Sequence, residues 1–102
     1  MLNNIIADNI DRIRSVCDEH HVGRLYVFGS VCTDQFNATS DIDLLVSFKA
    51  MDFGDYTDNY FETAELLEQI FQRRVDLVTE NSLGNPYFIQ SINKTKTLIY
   101  GQ

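Results

Sequence analysis

Along the first seventeen residues, apolar side chains recur every three or four positions. Leu2, Ile6, Ile10, Ile13 and Cys17 make one stripe, which predicts a first helix with Asn9, Asp11, Arg12, Arg14 and Asp18 on its polar side. His20-His21-Val22-Gly23 predicts the end of that helix, with Gly23 as the terminating residue. The period then shortens to two. Arg24 to Phe28 predicts a strand that stops at Gly29-Ser30 and feeds a short helix. From Asp41 to Phe48, Ile42, Leu44, Val46 and Phe48 alternate with Asp41, Asp43, Leu45 and Ser47, so one face of this strand is wholly apolar. Helical spacing returns from about residue 56 to 73, with Tyr60, Ala64, Leu67 and Phe71 on one face. Arg74 to Thr79 predicts a third strand, Val75 and Leu77 on one side and Asp76 and Val78 on the other. Asn81 to Asn85 reads as a loop, Pro86 as the opening of a short helix to about Asn93, and Leu98-Ile99-Tyr100 as a last short strand. This order predicts an α/β fold, a small mixed β-sheet with helices packed on one face. No repeat, linker or low-complexity tract divides the chain, so residues 1–102 read as a single domain.

Composition narrows the function classes. The 102 residues are 44% hydrophobic and 23% charged, which excludes a disordered or collagen-like chain. A chain of this length buries roughly two thirds of its unfolded surface and needs neither metal nor disulfide to fold. Eight basic residues against 15 acidic ones leave a net charge of −7. Such a surface repels a phosphate backbone, so no direct nucleic-acid binding is expected, although a nucleotide can bind where a metal supplies positive charge. No apolar run reaches the roughly 18–20 residues that span a bilayer, and the first residues lack a signal-peptide pattern. Cys17 and Cys32 show no CxxC spacing and read as a reduced pair, which points to the cytoplasm.

The candidate chemistry lies in carboxylates. Asp41 and Asp43, at i and i+2 on one strand, project from the same face with Cα atoms about 6.5–7 Å apart. Carboxylates so placed can converge on one ion or straddle two. Asp76 interrupts another apolar strand, and an acid in mid-strand is costly unless solvated, paired or bound to metal. If the two strands are neighbours, three carboxylates meet on one open face, and an all-oxygen donor set favours Mg²⁺ or Mn²⁺. Gly29-Ser30, at a strand end before a short helix, suits a phosphate, since glycine admits close approach and backbone N–H groups face the anion. Neither a Walker loop nor a dinucleotide fingerprint is present. Read singly, Asp41 and Asp43 also fit a solvated strand face, Asp76 a pair with Arg73 or Arg74, and Ser30 a helix N-cap. His20-His21 suits a helix terminus rather than a metal, because adjacent residues do not share a helix face.

Gly29-Ser30, ten residues, then Ser40-Asp41-Ile42-Asp43-Leu44-Leu45-Val46 resembles the GS-x10-DxD signature of the polymerase-β-type nucleotidyltransferase superfamily. The small size resembles its minimal nucleotidyltransferase (MNT) branch. The likeness extends over nearly the whole chain, through Arg74-Val75-Asp76-Leu77-Val78 and from Asn85-Pro86-Tyr87 to Leu98-Ile99-Tyr100. It implies a polymerase-β-like nucleotidyltransferase fold and transfer of a nucleoside monophosphate, AMP from ATP. By the same resemblance Asp41, Asp43 and Asp76 are catalytic and hold two Mg²⁺ ions, while Gly29, Ser30 and Ser40 contact the nucleotide. Family members often serve as antitoxins of small helical HEPN ribonucleases, and some transfer AMP to a tyrosine of that toxin, so a HEPN-type toxin is the implied partner. Many members read Gly-Ser-x-Ala-Arg-Gly after the strand. Here Thr33 replaces that arginine and Asp34 adds a negative charge, a departure that bears on nucleotide affinity more than on the metal site. The alternative from another class is a weak or inactive module that neutralises its partner by occlusion. Small-molecule modification would need an acceptor-binding domain that this length hardly supplies. Asp55, Asp58, Glu62 and Glu65 fall at helical spacing, either a solvated face or a surface for a basic partner.

Overall fold

A computed structural model describes residues 4–101. Strands β1 (Val22–Phe28), β2 (Ile42–Phe48), β3 (Val75–Thr79) and β4 (Thr97–Tyr100) form one sheet in the order β3-β2-β1-β4. The helices are α1 (Asn4–Ala7), α2 (Ile10–Glu19), α3 (Phe53–Phe71) and α4 (Pro86–Thr95). β1 runs antiparallel to β2 and β4, whereas β2 and β3 are parallel and joined through α3, so the sheet is mixed as predicted. No helix among the described residues is long and apolar enough to cross a membrane.

The period of two sorts the strand residues onto two faces. On one, Ile42, Leu44 and Val46 of β2 join Leu25, Val27 and Leu77 and bury against Ile6, Ile13 and Cys17 from α1 and α2 and Leu67, Ile70 and Phe71 from α3. Each such side chain contributes about 1.5–3 kcal/mol, so this face is the main source of stability. α1, α2 and α3 therefore share one face, in agreement with the pattern. The expectation of helices on one face fails for α4, which crosses the opposite face, where its Ile92 meets Phe28 and Leu45. It does so because the second face of β1 and β2 also carries apolar residues, Tyr26, Phe28 and Leu45, which need cover.

Two local expectations change. The first helix is interrupted after Ala7, because the Asn9 side-chain amide donates to the Ile5 carbonyl (2.8 Å) and competes with the helical ladder. Ile6 and Ile13 remain on one buried stripe across the break, while Leu2 lies outside the described residues. The chain reverses at His21 (φ +60°), not at Gly23. Gly23 instead lies inside β1, where a Cβ would stand 3.2 Å from the Ser47 carbonyl oxygen of β2, so the glycine serves strand approach. At the start of α4 the sequence signal holds: Asn85 accepts from the Tyr87 N–H (2.9 Å), with Pro86 in the first turn.

The outer edge of β3 is covered by α3. The Val75 N–H donates to Glu68 Oε2 (3.1 Å) and the Tyr60 hydroxyl donates to the Leu77 carbonyl, which blunts an edge otherwise open to pairing.

Candidate active site

Register builds the site. Phe28, the last residue of β1, lies opposite Asp43, and Asp43 lies opposite Asp76 across the parallel β2–β3 pair. Strands are about 4.8 Å apart, so two carboxylates stand side by side on the face away from α1–α3. The chain leaves β1 through Gly29 (φ +78°) into a short 3₁₀ turn, Gly29–Cys32. A Cβ at position 29 would come within 2.4 Å of Asp43 Oδ2. Glycine is required there twice over, by the backbone angle and by the carboxylate beside it.

Asp43 is half-buried and its carboxyl is pushed up to about 6, first by burial, then by the negative charges of Asp76 and Asp41. Asp41 is exposed and stands just before β2, close enough for its charge to act on Asp43. Asp76 is also exposed, and neither Arg73 nor Arg74 makes an ion pair with it. Arg73 instead donates to the carbonyls of Asn37 (3.1 Å) and Ser40 (2.8 Å). Among the described residues no three His, Cys, Asp or Glu side chains converge into a ready-made metal cage. The donors present nonetheless fit Mg²⁺ chemically. They are hard oxygens that repel one another, and Mg²⁺ is commonly held by one or two carboxylates together with substrate phosphates.

The other candidates are placed differently. Ser30 lies in the turn beside Gly29, as the spacing requires. The Gly29 amide is not free for an anion, because it donates to Thr95 Oγ1 (2.8 Å) at the end of α4. Ser40 shapes the loop ahead of Asp41: its Oγ accepts from the Asn37 N–H (3.1 Å). Thr33 Oγ1 donates to the Ser30 carbonyl (2.8 Å) and accepts from the Gln35 N–H (3.2 Å), so this side chain fastens the turn. Reading the sequence missed Thr95, and it gave Arg73 only as a pair for Asp76, not as a donor to the loop carbonyls. Each acts across a long separation, 66 residues from Thr95 to Gly29 and 33 from Arg73 to Ser40, and no local pattern marks such contacts.

Comparison with known proteins accounts for this arrangement. The family model of the nucleotidyltransferase domain matches residues 10–99, which include both strands of the carboxylate pair and the Gly29-Ser30 turn. The chain belongs to the nucleotidyltransferase domain family. A candidate protein adenylyltransferase of Methanocaldococcus jannaschii is 36% identical to this nucleotidyltransferase over 83 residues, 81% of this chain and 80% of the relative. Among solved structures, a candidate minimal nucleotidyltransferase superposes with a TM-score of 0.76 at 27% identity, covering 95% of each chain. A structure of the tri-AMPylated Shewanella oneidensis HEPN toxin in complex with MNT antitoxin matches with a TM-score of 0.64 at 21% identity, covering 94% of this chain and 72% of that one. At that identity the likeness concerns the fold alone. The expected kinship is thus met in sequence by the nucleotidyltransferase family and in fold by the match to a minimal nucleotidyltransferase.

Proposed function

We propose that this nucleotidyltransferase transfers AMP from ATP to a hydroxyl on a partner protein in the cytoplasm, and that the partner is a HEPN-type ribonuclease toxin for which it is the antitoxin. The observation that carries the reading is the register pair Asp43–Asp76 beside Gly29, with Asp41 adjoining. The name of the archaeal relative and the AMPylated toxin in the S. oneidensis complex support the choice of a protein acceptor.

Asp41, Asp43 and Asp76 would hold two Mg²⁺ ions, which supply neutralising charge to the triphosphate. Gly29 leaves room for the Asp43 carboxylate beside the turn, and the Ser30 hydroxyl next to it is a donor for a phosphate oxygen. Asp76, exposed at the β3 side of the pair, would accept the proton of the acceptor hydroxyl. The hydroxyl oxygen forms a bond to the α-phosphorus, the bond from that phosphorus to the bridging oxygen breaks, and pyrophosphate leaves with the electron pair.

A second reading has its own observation. Thr33 is tied into the turn and Asp34 is exposed beside it, so this loop offers the triphosphate no cation and fits a weak enzyme that works by occlusion. The test is co-expression with a HEPN partner and ATP labelled at the α-phosphate, comparing wild type with Asp43→Asn. Transfer to the partner should fall by about 100-fold or more in the variant. A partner that is neutralised without ever carrying label would establish occlusion instead.

A further inference from the structure

Residues 33–41 form an exposed loop between the Gly29–Cys32 turn and β2. Its internal hydrogen bonds are local, joining Thr33 to Gln35 and Asn37 to Thr39 and Ser40. Segments held this way open at low free-energy cost unless something anchors them. Here two contacts anchor it: Phe36, which packs against the main core, and Arg73, in the connection from α3 to β3. One guanidinium nitrogen reaches two loop carbonyls, Asn37 and Ser40, and the guanidinium carbon lies 4.6 Å from the centroid of the Phe36 ring. Among the described residues no other element forms a hydrogen bond with residues 34–40.

The second of those carbonyls matters most. The Ser40 carbonyl belongs to the peptide that carries the Asp41 nitrogen, and one residue further on the Ile42 N–H donates to the Arg74 carbonyl (3.0 Å). Arg73 and Arg74 therefore grip the chain on both sides of Asp41, and they stand immediately ahead of the strand that carries Asp76. Asp41 itself is exposed and lies outside β2, so the sheet ladder alone does not orient it.

We infer that Arg73 is a positioning residue for Asp41, holding that carboxylate in register with Asp43 and Asp76 for binding Mg–ATP. The inference rests on the nucleotidyltransferase reading of the three acids and adds the device that brings the exposed one into place. Arginine suits the task because its planar fork donates to carbonyls while its face stacks on an aromatic ring, which an ammonium cannot do in one geometry.

The test uses the full chain with Arg73→Ala and Arg73→Lys. Titration calorimetry gives the Mg²⁺ concentration at which ATP binding is half-maximal, and amide hydrogen exchange reports on residues 34–40. Arg73→Ala should raise the Mg²⁺ requirement by about 10–100-fold, as loss of a group orienting a ligand does, and should speed exchange in the loop. Arg73→Lys, which keeps the charge and is the milder change for folding, should fall between. In an Asp41→Asn background, Arg73→Ala should raise the requirement no further, since both changes act through one carboxylate. Additive effects would overturn the inference, as would faster loop exchange with an unchanged Mg²⁺ requirement. If the wild type binds Mg–ATP and both Arg73 variants match it, only the clamp is refuted. If the wild type itself fails to bind Mg–ATP, the reading of the three acids falls and the clamp with it.

Discussion

The two faces of the sheet come from the same strands one residue out of phase, and they solve opposite problems. On the face under α1, α2 and α3, Ile42, Leu44, Val46 and Leu77 are closed off from solvent with Leu67 and Phe71. On the other face, the residues between them include Asp43 and Asp76, two like charges in direct register, one half-buried and one exposed. α4 covers Phe28 and Leu45 there and leaves the carboxylates uncovered. The closed face tolerates no polar group without a partner; its buried Thr63 satisfies its hydroxyl on the Asn59 carbonyl (2.7 Å). The open face keeps an unneutralised cluster that costs stability. A sheet held firmly from one side can carry charge repulsion on the other, and an active site of acids needs that asymmetry.

The comparison can be broken most severely from the closed side. Leu44→Ala should cost about 2–5 kcal/mol in a urea or thermal unfolding experiment, because a fully buried leucine leaves a cavity. A loss below about 1 kcal/mol would show that this face is not the main core. Between the faces, Gly29→Ala should destabilise by about 1–3 kcal/mol, since φ is +78° and the new Cβ would press on Asp43 Oδ2. The same substitution should weaken Mg–ATP binding, and crystallography of the variant should find the Asp43 carboxylate displaced.

On the open face the sign reverses. Asp43→Asn should stabilise the metal-free protein by about 1 kcal/mol at neutral pH, a modest figure because solvent screens a half-exposed group. Its carboxyl titrates near 6 in the folded chain against an ordinary 3.8. The folded state therefore binds this proton more tightly than the unfolded state. The contribution is fully present below about pH 4 and is lost as pH rises through about 6. Melting temperatures measured from pH 4 to 7 should show that decline in the wild type and a flatter profile in Asp43→Asn. Equal slopes would remove the electrostatic account of the cluster.

Two smaller effects sharpen the contrast at the margins. Tyr60→Phe removes the hydroxyl that covers the Leu77 carbonyl at the outer edge of β3 and should cost about 0.5–1.5 kcal/mol in unfolding experiments. Glu62→Lys with Glu65→Lys should change stability by no more than about 0.5 kcal/mol, as both side chains are exposed and, among the described residues, Glu62 has only the His20 imidazole as an ion-pair partner, at 3.6 Å. Slower association with a basic partner would give that acidic face a role, and an unchanged rate would leave it merely solvated.

Much of this organisation was legible before any coordinates. The alternation from Asp41 to Phe48 and the helical spacing of Tyr60, Ala64, Leu67 and Phe71 are consequences of burying one side of a regular element, and a linear pattern records them directly. Parity alone put Asp43 and Asp76 on the faces opposite their aliphatic neighbours, whereas the grouping of Gly29-Ser30 with Asp41, Asp43 and Asp76 was an expectation from the family resemblance. What the pattern could not contain was decided by pairing between distant segments. Parallel register, not parity, sets Asp43 against Asp76; the Gly29 amide finds its acceptor on Thr95; and Arg73 reaches the carbonyl before Asp41. The helix break at Asn9 and the reversal at His21 depended on side-chain competition for single carbonyls and on strand approach at Gly23. Periodicity is a property of one segment and survives in one dimension. Register, hydrogen-bond partners across tens of residues and the orientation of an exposed carboxylate exist only once the segments have met.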